Sequence, residues 1–241
     1  MDLLKQLYTI PSKSGTEDKI KAFILDYLKD VDLRIDTDSF DNLFITKGVA
    51  EIYPCVTAHL DEVHNIEHRT IVEDGEMIYA IDIKRQRVGL GADDKNGVWI
   101  VLKLLQELPV LKAALFAEEE RDGEAAGCRG SRACSMDVFN NVSFILAVDR
   151  KGSSDVVILG KGDISLCDYD FPPHDLLKKF GYSCVEGGRT DVVALKERGL
   201  TQPCCNISCG YYNAHTNAEY TNISHLHNAY AFVKEWLQQV Q

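Results

Sequence analysis

Hydrophobic positions along the chain fall into short continuous runs and into positions spaced three and four residues apart. The continuous runs predict buried strands at 52–58, 113–117, 142–148, 156–159 and 204–208. The spaced positions predict helices at 3–8, 17–28, 98–105, 131–136, 172–180, 190–198 and 223–239. Two alternating segments, 31–45 and 69–83, predict hairpins. This order favours a doubly wound α/β sheet with helices on both faces.

The length and spacing of these segments predict one domain. The chain has 241 residues, which suits a single large α/β domain. No long block separates Asp149 from Gly187, so the sequence has no room for a large inserted lid or dimerisation domain. We therefore expect residues 1–241 to form a single domain.

The charge balance excludes several classes of partner. With 26 basic and 37 acidic residues, the formal net charge is −11. Nucleic acids and anionic membranes both favour basic surfaces, so we expect neither as a partner. The sequence opens without the basic and apolar regions of a signal peptide, and no apolar run approaches the roughly 20 residues that span a bilayer. These features predict a cytoplasmic protein.

The eight cysteines are scattered along the chain. Without an export signal we expect them to be reduced. Cys204, Cys205 and Cys209 form one cluster, but no CxxC pair elsewhere completes a structural zinc site. We interpret this cluster as part of a buried strand.

Candidate metal ligands follow three of the predicted buried strands. The run 52–58 is followed by His59 and Asp61, the run 113–117 by the glutamates 118–120, and the run 142–148 by Asp149. In an open α/β sheet, ligands bind beyond the carboxyl ends of the strands. The sequence therefore predicts that these side chains converge at one edge of the sheet.

Two further segments complete a set that suits a pair of divalent ions. Asp93 and Asp94 follow Gly89 and Gly91 at the start of a buried helix, and His215 lies in a loop after the strand 204–208. A pair of ions about 3.5–4 Å apart can bind a water and lower its pKa. Such a site needs imidazole and carboxylate ligands, one of them bridging, and a free carboxylate as base.

The glutamate run offers both a ligand and a base. Like charges after an apolar strand cost free energy unless a cation offsets them. Adjacent residues of an extended segment point in opposite directions, so two neighbouring glutamates can divide the two roles. By the same alternation, Asp61 lies on the same side as His59 and can hold the second nitrogen of its ring.

The ordered set of motifs resembles the co-catalytic di-zinc peptidases, the superfamily that holds the M20, M28 and M42 aminopeptidases, carboxypeptidases and amidohydrolases. The resemblance covers most of the chain. Its motifs are Thr57-Ala58-His59-Leu60-Asp61, Leu90-Gly91-Ala92-Asp93-Asp94-Lys95, the glutamate run, Asp149 and Asn213-Ala214-His215-Thr216. It implies an α/β fold of three layers, α/β/α, around a mixed and mostly parallel sheet, the phosphorylase/hydrolase-like core of these peptidases.

The resemblance also implies a role for each matched residue. One metal would be held by His59 and Asp149, the other by Glu120 and His215, and Asp93 would bridge them. Glu119 would be the general base and Asp61 would orient His59. The peptide between Asp93 and Asp94 would be cis.

Three departures from the family pattern affect these expectations. The chain has three glutamates where the family has two; we prefer the pair Glu119 and Glu120, because Glu119 lies three residues after Phe116, but Glu118 and Glu119 stay open as an alternative. Residues 121–126 read as an insertion before Gly127-Cys128-Arg129-Gly130-Ser131. The lid of M20 enzymes and the oligomerisation domain of M42 enzymes are absent. The segment Gly187-Gly188-Arg189-Thr190-Asp191 resembles a family loop near the substrate, with Asp191 a candidate partner for a cationic amine.

These inferences favour a metallo-aminopeptidase that hydrolyses short peptides or amino-acid amides. The alternatives are an amidohydrolase that removes an acyl group from N-acyl amino acids and, ranked lower, an inactive metal-binding homologue. Two zinc ions are expected as cofactors, although cobalt and manganese accept the same ligands. The sequence leaves the side-chain preference and the formation of a homo-oligomer open.

Overall fold

The computed structural model describes residues 1–121 and 127–239. Within them, the helices are α1 (Asp2–Thr9), α2 (Asp18–Leu28), α3 (Ala92–Glu107), α4 (Arg129–Ala133), α5 (His174–Phe180), α6 (Asp191–Glu197) and α7 (Ile223–Gln239). The strands are β1 (Leu33–Thr37), β2 (Leu43–Lys47), β3 (Tyr53–His59), β4 (Thr70–Asp74), β5 (Met77–Ile81), β6 (Arg87–Val88), β7 (Leu111–Phe116), β8 (Val142–Arg150), β9 (Asp155–Gly160), β10 (Ile164–Ser165), β11 (Ser183–Glu186), β12 (Cys204–Ser208), β13 (Tyr211–Tyr212) and β14 (Tyr220–Asn222). The predicted insertion at 121–126 lies outside the described residues, apart from Arg121.

A mixed sheet of nine strands forms the centre of the molecule, in the order β1-β2-β7-β3-β8-β12-β9-β10, with β11 also paired to β9. Strands β7, β3, β8 and β12 are parallel to their neighbours within this group. The hairpin β1–β2 extends one side of the sheet in antiparallel fashion, and β9 joins β12 in antiparallel fashion on the other side. The mixed sheet expected from the sequence is confirmed.

Helices cover both faces of this sheet. Val56 and Leu146 point to one face, where they pack in the core that includes α3 and α7. Cys55 and Ile145, their neighbours along β3 and β8, point to the other face and share a core with α6. The alternation follows from the two-residue period of a strand, and it confirms the three-layer α/β/α architecture.

The buried strands and the longer helices agree with the pattern of apolar positions, and the shorter elements do not. Strands β6, β10, β11, β13 and β14 have two to four residues each, too few to show an alternation. The helix expected at 131–136 is instead α4 followed by a 3₁₀ turn at Met136–Phe139. The eight cysteines are free, as expected. None of the helices in the described part of the chain is long and apolar enough to cross a bilayer.

A second, antiparallel sheet was not anticipated. The predicted hairpin at 69–83 is present as β4–β5, and β14 pairs with β5 to give the order β13-β14-β5-β4, with β6 also paired to β5. Because β6 leads into the glycine-rich loop before α3, and β13 and β14 flank His215, this small sheet supports two segments that carry predicted ligands.

A buried ion cluster joins α3 to the segment before β4. One oxygen of Glu62, Oε1, lies 2.6 Å from the guanidinium of Arg69 and 2.9 Å from Nζ of Lys95, and all three side chains are 1% exposed. Lys95 also donates a hydrogen bond of 2.7 Å to the carbonyl oxygen of Ile10 after α1. Burial alone would raise the pKa of Glu62, but the two cations outweigh it and lower the pKa.

We expect Glu62→Gln to lower the free energy of unfolding by about 3 kcal/mol, because two buried cations would lose their counter-charge. Urea denaturation followed by circular dichroism measures the change. The exposed Glu67, replaced in the same way, is the matched control. An unfolding midpoint equal to that of the unmodified protein would show that the cluster does not depend on the carboxylate charge.

Candidate metal centre

His59 ends β3 with its ring fully buried between carboxylates. Its Nε2 lies 3.2 Å from Oδ1 of Asp93 and 3.5 Å from Oδ1 of Asp149. Asp149 is on the neighbouring parallel strand β8, so the adjacent strand ends bring these groups together. This meets the expectation that polar groups beyond the carboxyl ends of the strands converge.

His215 approaches the same aspartate from the opposite side. Its Nε2 lies 3.3 Å from Oδ2 of Asp93 and 2.5 Å from Oε1 of Glu120. The two oxygens of Asp93 therefore contact two different imidazoles, Oδ1 that of His59 and Oδ2 that of His215. A carboxylate in this position can link two binding sites.

Three overlapping groups of donors could each hold a metal ion, with ligand atoms within 4.8 Å of one another. They are His59 with Asp93 and Asp149, Asp93 with Glu120 and His215, and His59 with Glu119 and Glu120. The five residues predicted as ligands all belong to these groups. Their imidazole and carboxylate donors are those that zinc and neighbouring transition metals bind, so the residues fit a metal centre.

The pKa values of these groups differ strongly from their usual values. Burial raises the pKa of Asp149 to about 7, with further contributions from Asp93 and Glu120. Contacts with Asp93 and Glu120 raise the pKa of His215 to about 10. Packed carboxylates of this kind favour any nearby cation, whether a proton on an imidazole or a metal ion. The electrostatics therefore agree with the donor set.

The loop that presents Asp93 depends on a close packing of backbone. Gly91 has a positive φ of 70°, and a Cβ at this position would lie 2.2 Å from Oε2 of Glu62. The peptide between Asp93 and Asp94 is cis, as expected. Asp94 faces the backbone: Oδ1 accepts a hydrogen bond of 3.0 Å from Gly97 N–H, and Oδ2 accepts one of 3.2 Å from His59 N–H.

Glu219 holds this loop in place, a role that the sequence did not suggest. Its buried carboxylate accepts hydrogen bonds from the backbone N–H groups of Leu90, Gly91 and Asp93 at 2.9, 2.7 and 3.1 Å. His64 Nε2 lies 3.2 Å from the same carboxylate. Glu219 precedes β14, and no local pattern relates it to the loop before α3.

We expect Glu219→Gln to weaken metal binding by about 10-fold to 100-fold, because an amide cannot accept all three hydrogen bonds that orient the Asp93 loop. Competition with a fluorescent chelator measures the affinity. Glu235→Gln, which removes only an exposed ion pair with Lys179, is the control. Unchanged affinity in Glu219→Gln would show that the loop keeps its geometry without this carboxylate.

Asp61 contacts His59 as predicted and also holds the last two residues of the glutamate run. Its Oδ1 lies 3.3 Å from Nδ1 of His59, although the two atoms do not form a well-aligned hydrogen bond. Its two oxygens accept hydrogen bonds from the backbone N–H groups of Glu119 and Glu120, each at 2.9 Å. One carboxylate thus ties the end of β3 to the segment after β7.

The three glutamates occupy different surroundings. Oε2 of Glu118 forms ion pairs with the guanidinium groups of Arg129, at 2.5 Å, and Arg121, at 3.1 Å. Glu120 contacts His215. Glu119 lines a cavity that opens over the candidate metal centre, and burial raises its pKa well above the usual value. This arrangement favours the pair Glu119 and Glu120 over Glu118 and Glu119.

Asp149 is supported by Asn206, which the sequence analysis also missed. The side chain of Asn206 accepts a hydrogen bond of 3.0 Å from Asp149 N–H and donates one of 2.8 Å to the Asp149 carbonyl oxygen. A polar residue between Cys205 and Ile207 in an apolar strand was the available signal. Tyr211 O–H lies 3.4 Å from Oδ1 of Asp149 and adds a weaker contact.

Asp191 lies at the start of α6 and is not among the residues that line the cavity. Its Oδ1 accepts a hydrogen bond of 2.6 Å from Ser131 Oγ, and burial raises its pKa to about 7. A direct contact with a substrate amine stays a prediction for this residue.

A cavity of about 520 Å³ opens over the candidate metal centre. Asp93, Glu119, Glu120 and Asp149 line one part of it, and the basic residues Arg150, Lys151 and Arg189 also line it. Arg150 is paired with Asp155 at 3.1 Å. The size is in the range of sites for small ligands, and the lining offers carboxylates and cations to one bound molecule.

The fold is shared with peptidases of known structure. No protein-family model matches the sequence, and no curated relative matches it either. A tripeptidase from Staphylococcus aureus subsp. aureus Mu50 aligns with a TM-score of 0.80 and 16% identity over 99% of this chain and 97% of that chain. Aminopeptidase PepT from Bacillus cereus ATCC 10987 aligns with a TM-score of 0.78 and 14% identity over 99% and 97%. The TET1 peptidase of Pyrococcus horikoshii aligns with a TM-score of 0.65 and 15% identity over 98% of both chains.

TM-scores of 0.65 to 0.80 over nearly the whole of both chains show a common fold, and identities of 14% to 16% show no more than the fold. The fold that the resemblance implied is confirmed, because this chain shares its architecture with the tripeptidase, the PepT aminopeptidase and the TET1 peptidase.

Proposed function

We propose that the protein is a di-zinc metallo-exopeptidase, an aminopeptidase that removes N-terminal residues from short peptides, with residues 1–241 as a single catalytic domain. The observation that carries the proposal is the contact of Asp93 with both His59 and His215. A carboxylate so placed is suited to bridge two cations. The named activities of the tripeptidase and of PepT, which share the fold, support the same function.

In this proposal the ligands divide between two ions. His59 and Asp149 would hold one, Glu120 and His215 the other, and Asp93 both. The bound ions would lower the pKa of a water and polarise the scissile carbonyl. Elemental analysis of the purified protein tests the assignment: about two equivalents of zinc, cobalt or manganese are expected, and a protein that binds one equivalent or none would contradict it.

Glu119 is the proposed general base. It lines the cavity beside Asp149, and burial raises its pKa, which favours uptake of a proton from the attacking water. The same carboxyl group would then pass the proton to the leaving amine. Asp61 would keep Glu119 at the correct position through its hydrogen bond to the backbone.

The free amine of a substrate would lie at the acidic part of the cavity. Cation–carboxylate pairing favours that end of a peptide. Asp191 is the proposed partner of this amine, which would replace Ser131 Oγ as the hydrogen-bond donor to Oδ1 of Asp191. The proposal therefore predicts a need for an unblocked N-terminus.

A panel of aminoacyl amides and short peptides tests this function. The protein loaded with zinc is incubated with peptides that have free or acetylated N-termini, and the products are measured by mass spectrometry. We expect release of the N-terminal residue only from the unblocked peptides. Cleavage of the acetylated series alone would overturn the aminopeptidase assignment.

A deacylase of N-acyl amino acids is the second candidate. It is favoured by Lys151 and Arg189, which line the cavity and could pair with the free carboxylate of such a substrate. The comparison of a dipeptide with the matching N-acetyl amino acid separates the two functions, because only a deacylase hydrolyses the second at the higher rate.

The assembly of the chain is part of the proposal. The TET1 peptidase can assemble into a tetrahedron or a large octahedral shell. We propose a homo-oligomer for this chain as well. Size-exclusion chromatography with light scattering measures the mass, and a value near the 27.0 kDa of one chain would contradict it.

A further inference from the structure

Cys128 touches the proposed base. Its side chain is 1% exposed, and its Sγ donates a hydrogen bond to Oε1 of Glu119 at 3.1 Å. Cys128 belongs to the segment that resembles a family motif, but the proposed reaction so far assigns this thiol no role.

The backbone around Cys128 also fits closely against Glu119. Cys128 N–H donates a hydrogen bond of 2.8 Å to the carbonyl oxygen of Glu119. The preceding residue, Gly127, could not carry a Cβ, which would lie 2.4 Å from that same oxygen. Cys128 itself has a left-handed backbone with φ 56° and ψ 38°, a conformation that non-glycine residues rarely adopt. The segment therefore keeps the thiol beside Glu119 even though this backbone conformation is unfavourable.

The surroundings of the thiol keep it protonated. Burial raises the pKa of Cys128 far above its usual value, and the negative charges of Asp191 and Glu119 raise it further. A protonated thiol has an S–H group that can donate to a carboxylate, whereas a thiolate could only repel it. The contact is thus a weak hydrogen bond to the base.

Resting on the proposed function, we infer that Cys128 is a positioning residue for Glu119: its thiol holds Oε1, so that Oε2 is the oxygen presented to the reacting water. A carboxylate with both oxygens free to rotate would reach the productive orientation less often. Because catalytic groups tolerate little misplacement, loss of this hydrogen bond should lower the turnover number and leave substrate binding nearly unchanged.

Three cysteine variants test the inference in the metal-loaded enzyme. Cys128→Ala removes the donor and retains a β-carbon on the left-handed backbone, so the backbone strain is unchanged. Cys128→Ser replaces one donor with another. Cys204→Ala removes an equally buried thiol that donates to Leu166 O, away from the centre, and serves as the matched control.

We expect Cys128→Ala to lower kcat about fivefold with KM within about twofold, a size typical of one hydrogen bond. Cys128→Ser should recover most of kcat, and Cys204→Ala should keep both parameters. Thermal unfolding of each variant is measured in parallel. A Cys128→Ala enzyme with unchanged kcat, or a Cys128→Ser enzyme as slow as Cys128→Ala, would overturn the inference.

Infrared spectroscopy gives a readout that needs no substrate. The S–H stretching band of Cys128 is the one that disappears in Cys128→Ala, and we expect it to shift to higher frequency in Glu119→Gln, whose neutral amide is a weaker acceptor. A Cys128 band at the same frequency in the unmodified protein and in Glu119→Gln would refute the thiol–carboxylate contact. If no substrate were cleaved but the band shifted, the proposed function would fail and the contact would stand.

Discussion

Replacing Glu119 by glutamine is expected to lower kcat about 1000-fold while the protein keeps its metal ions. Glutamine has nearly the shape of glutamate but cannot accept a proton, and a general base contributes about 10² to 10⁴ in rate. Glu119 is not among the five proposed ligands, so its replacement should leave them in place. The measurement pairs steady-state kinetics on an aminoacyl amide with metal analysis of the same sample.

The neighbouring glutamate provides the matched control for this variant. Glu118→Gln changes the adjacent residue in the same way, but the side chain it alters pairs with Arg129 and Arg121. We expect this variant to keep its activity. An active Glu119→Gln enzyme together with an inactive Glu118→Gln enzyme would transfer the role of base to Glu118, the alternative that the sequence left open.

Asp93→Asn is expected to remove both metal ions and with them at least about 1000-fold of the activity. The carboxylate contacts both imidazoles, and an amide offers only one oxygen and no charge to the cations. Metal-binding sites that share a ligand should fail together. A zinc titration of the metal-free protein, monitored by isothermal titration calorimetry, gives the number of sites and their affinities.

Asp137→Asn, on the 3₁₀ turn away from the cavity, is the control for the Asp93 substitution. Circular dichroism establishes that both variants are folded. If Asp93→Asn still bound two zinc ions with the affinity of the unmodified protein, Asp93 would not be a bridging ligand, and the two donor groups would have to be independent sites.

The parts of the fold and the site that follow from local pattern are predictable from the sequence. Apolar runs such as 142–148 define the buried strands, and the three runs 52–58, 113–117 and 142–148 are each followed by polar residues at the edge where parallel strands end. His59, the glutamate run and Asp149 are found by this rule alone. His215 follows a strand as well, but its assignment depends on the resemblance to a family of peptidases.

The parts that depend on distant contacts are not predictable in this way. Glu219 is remote in sequence from the loop it supports, and its three hydrogen bonds exist only because the small sheet brings it there. The short strands β13 and β14 have too few residues to show an alternation of apolar and polar positions. The preference for Glu119 and Glu120 over Glu118 and Glu119 likewise gains support from the positions of Arg129 and His215, which no sequence pattern supplies.

The small antiparallel sheet links the two halves of the centre mechanically. It carries His215 and Glu219 between β13 and β14, and through β5 and β6 it leads directly into the loop that presents Asp93. One proposed ligand and the support of another are therefore attached to the same sheet. A molecule that bound to this sheet and tilted it would change the distance between the two proposed metal ions. We therefore expect this sheet to be a target for an inhibitor that binds outside the cavity.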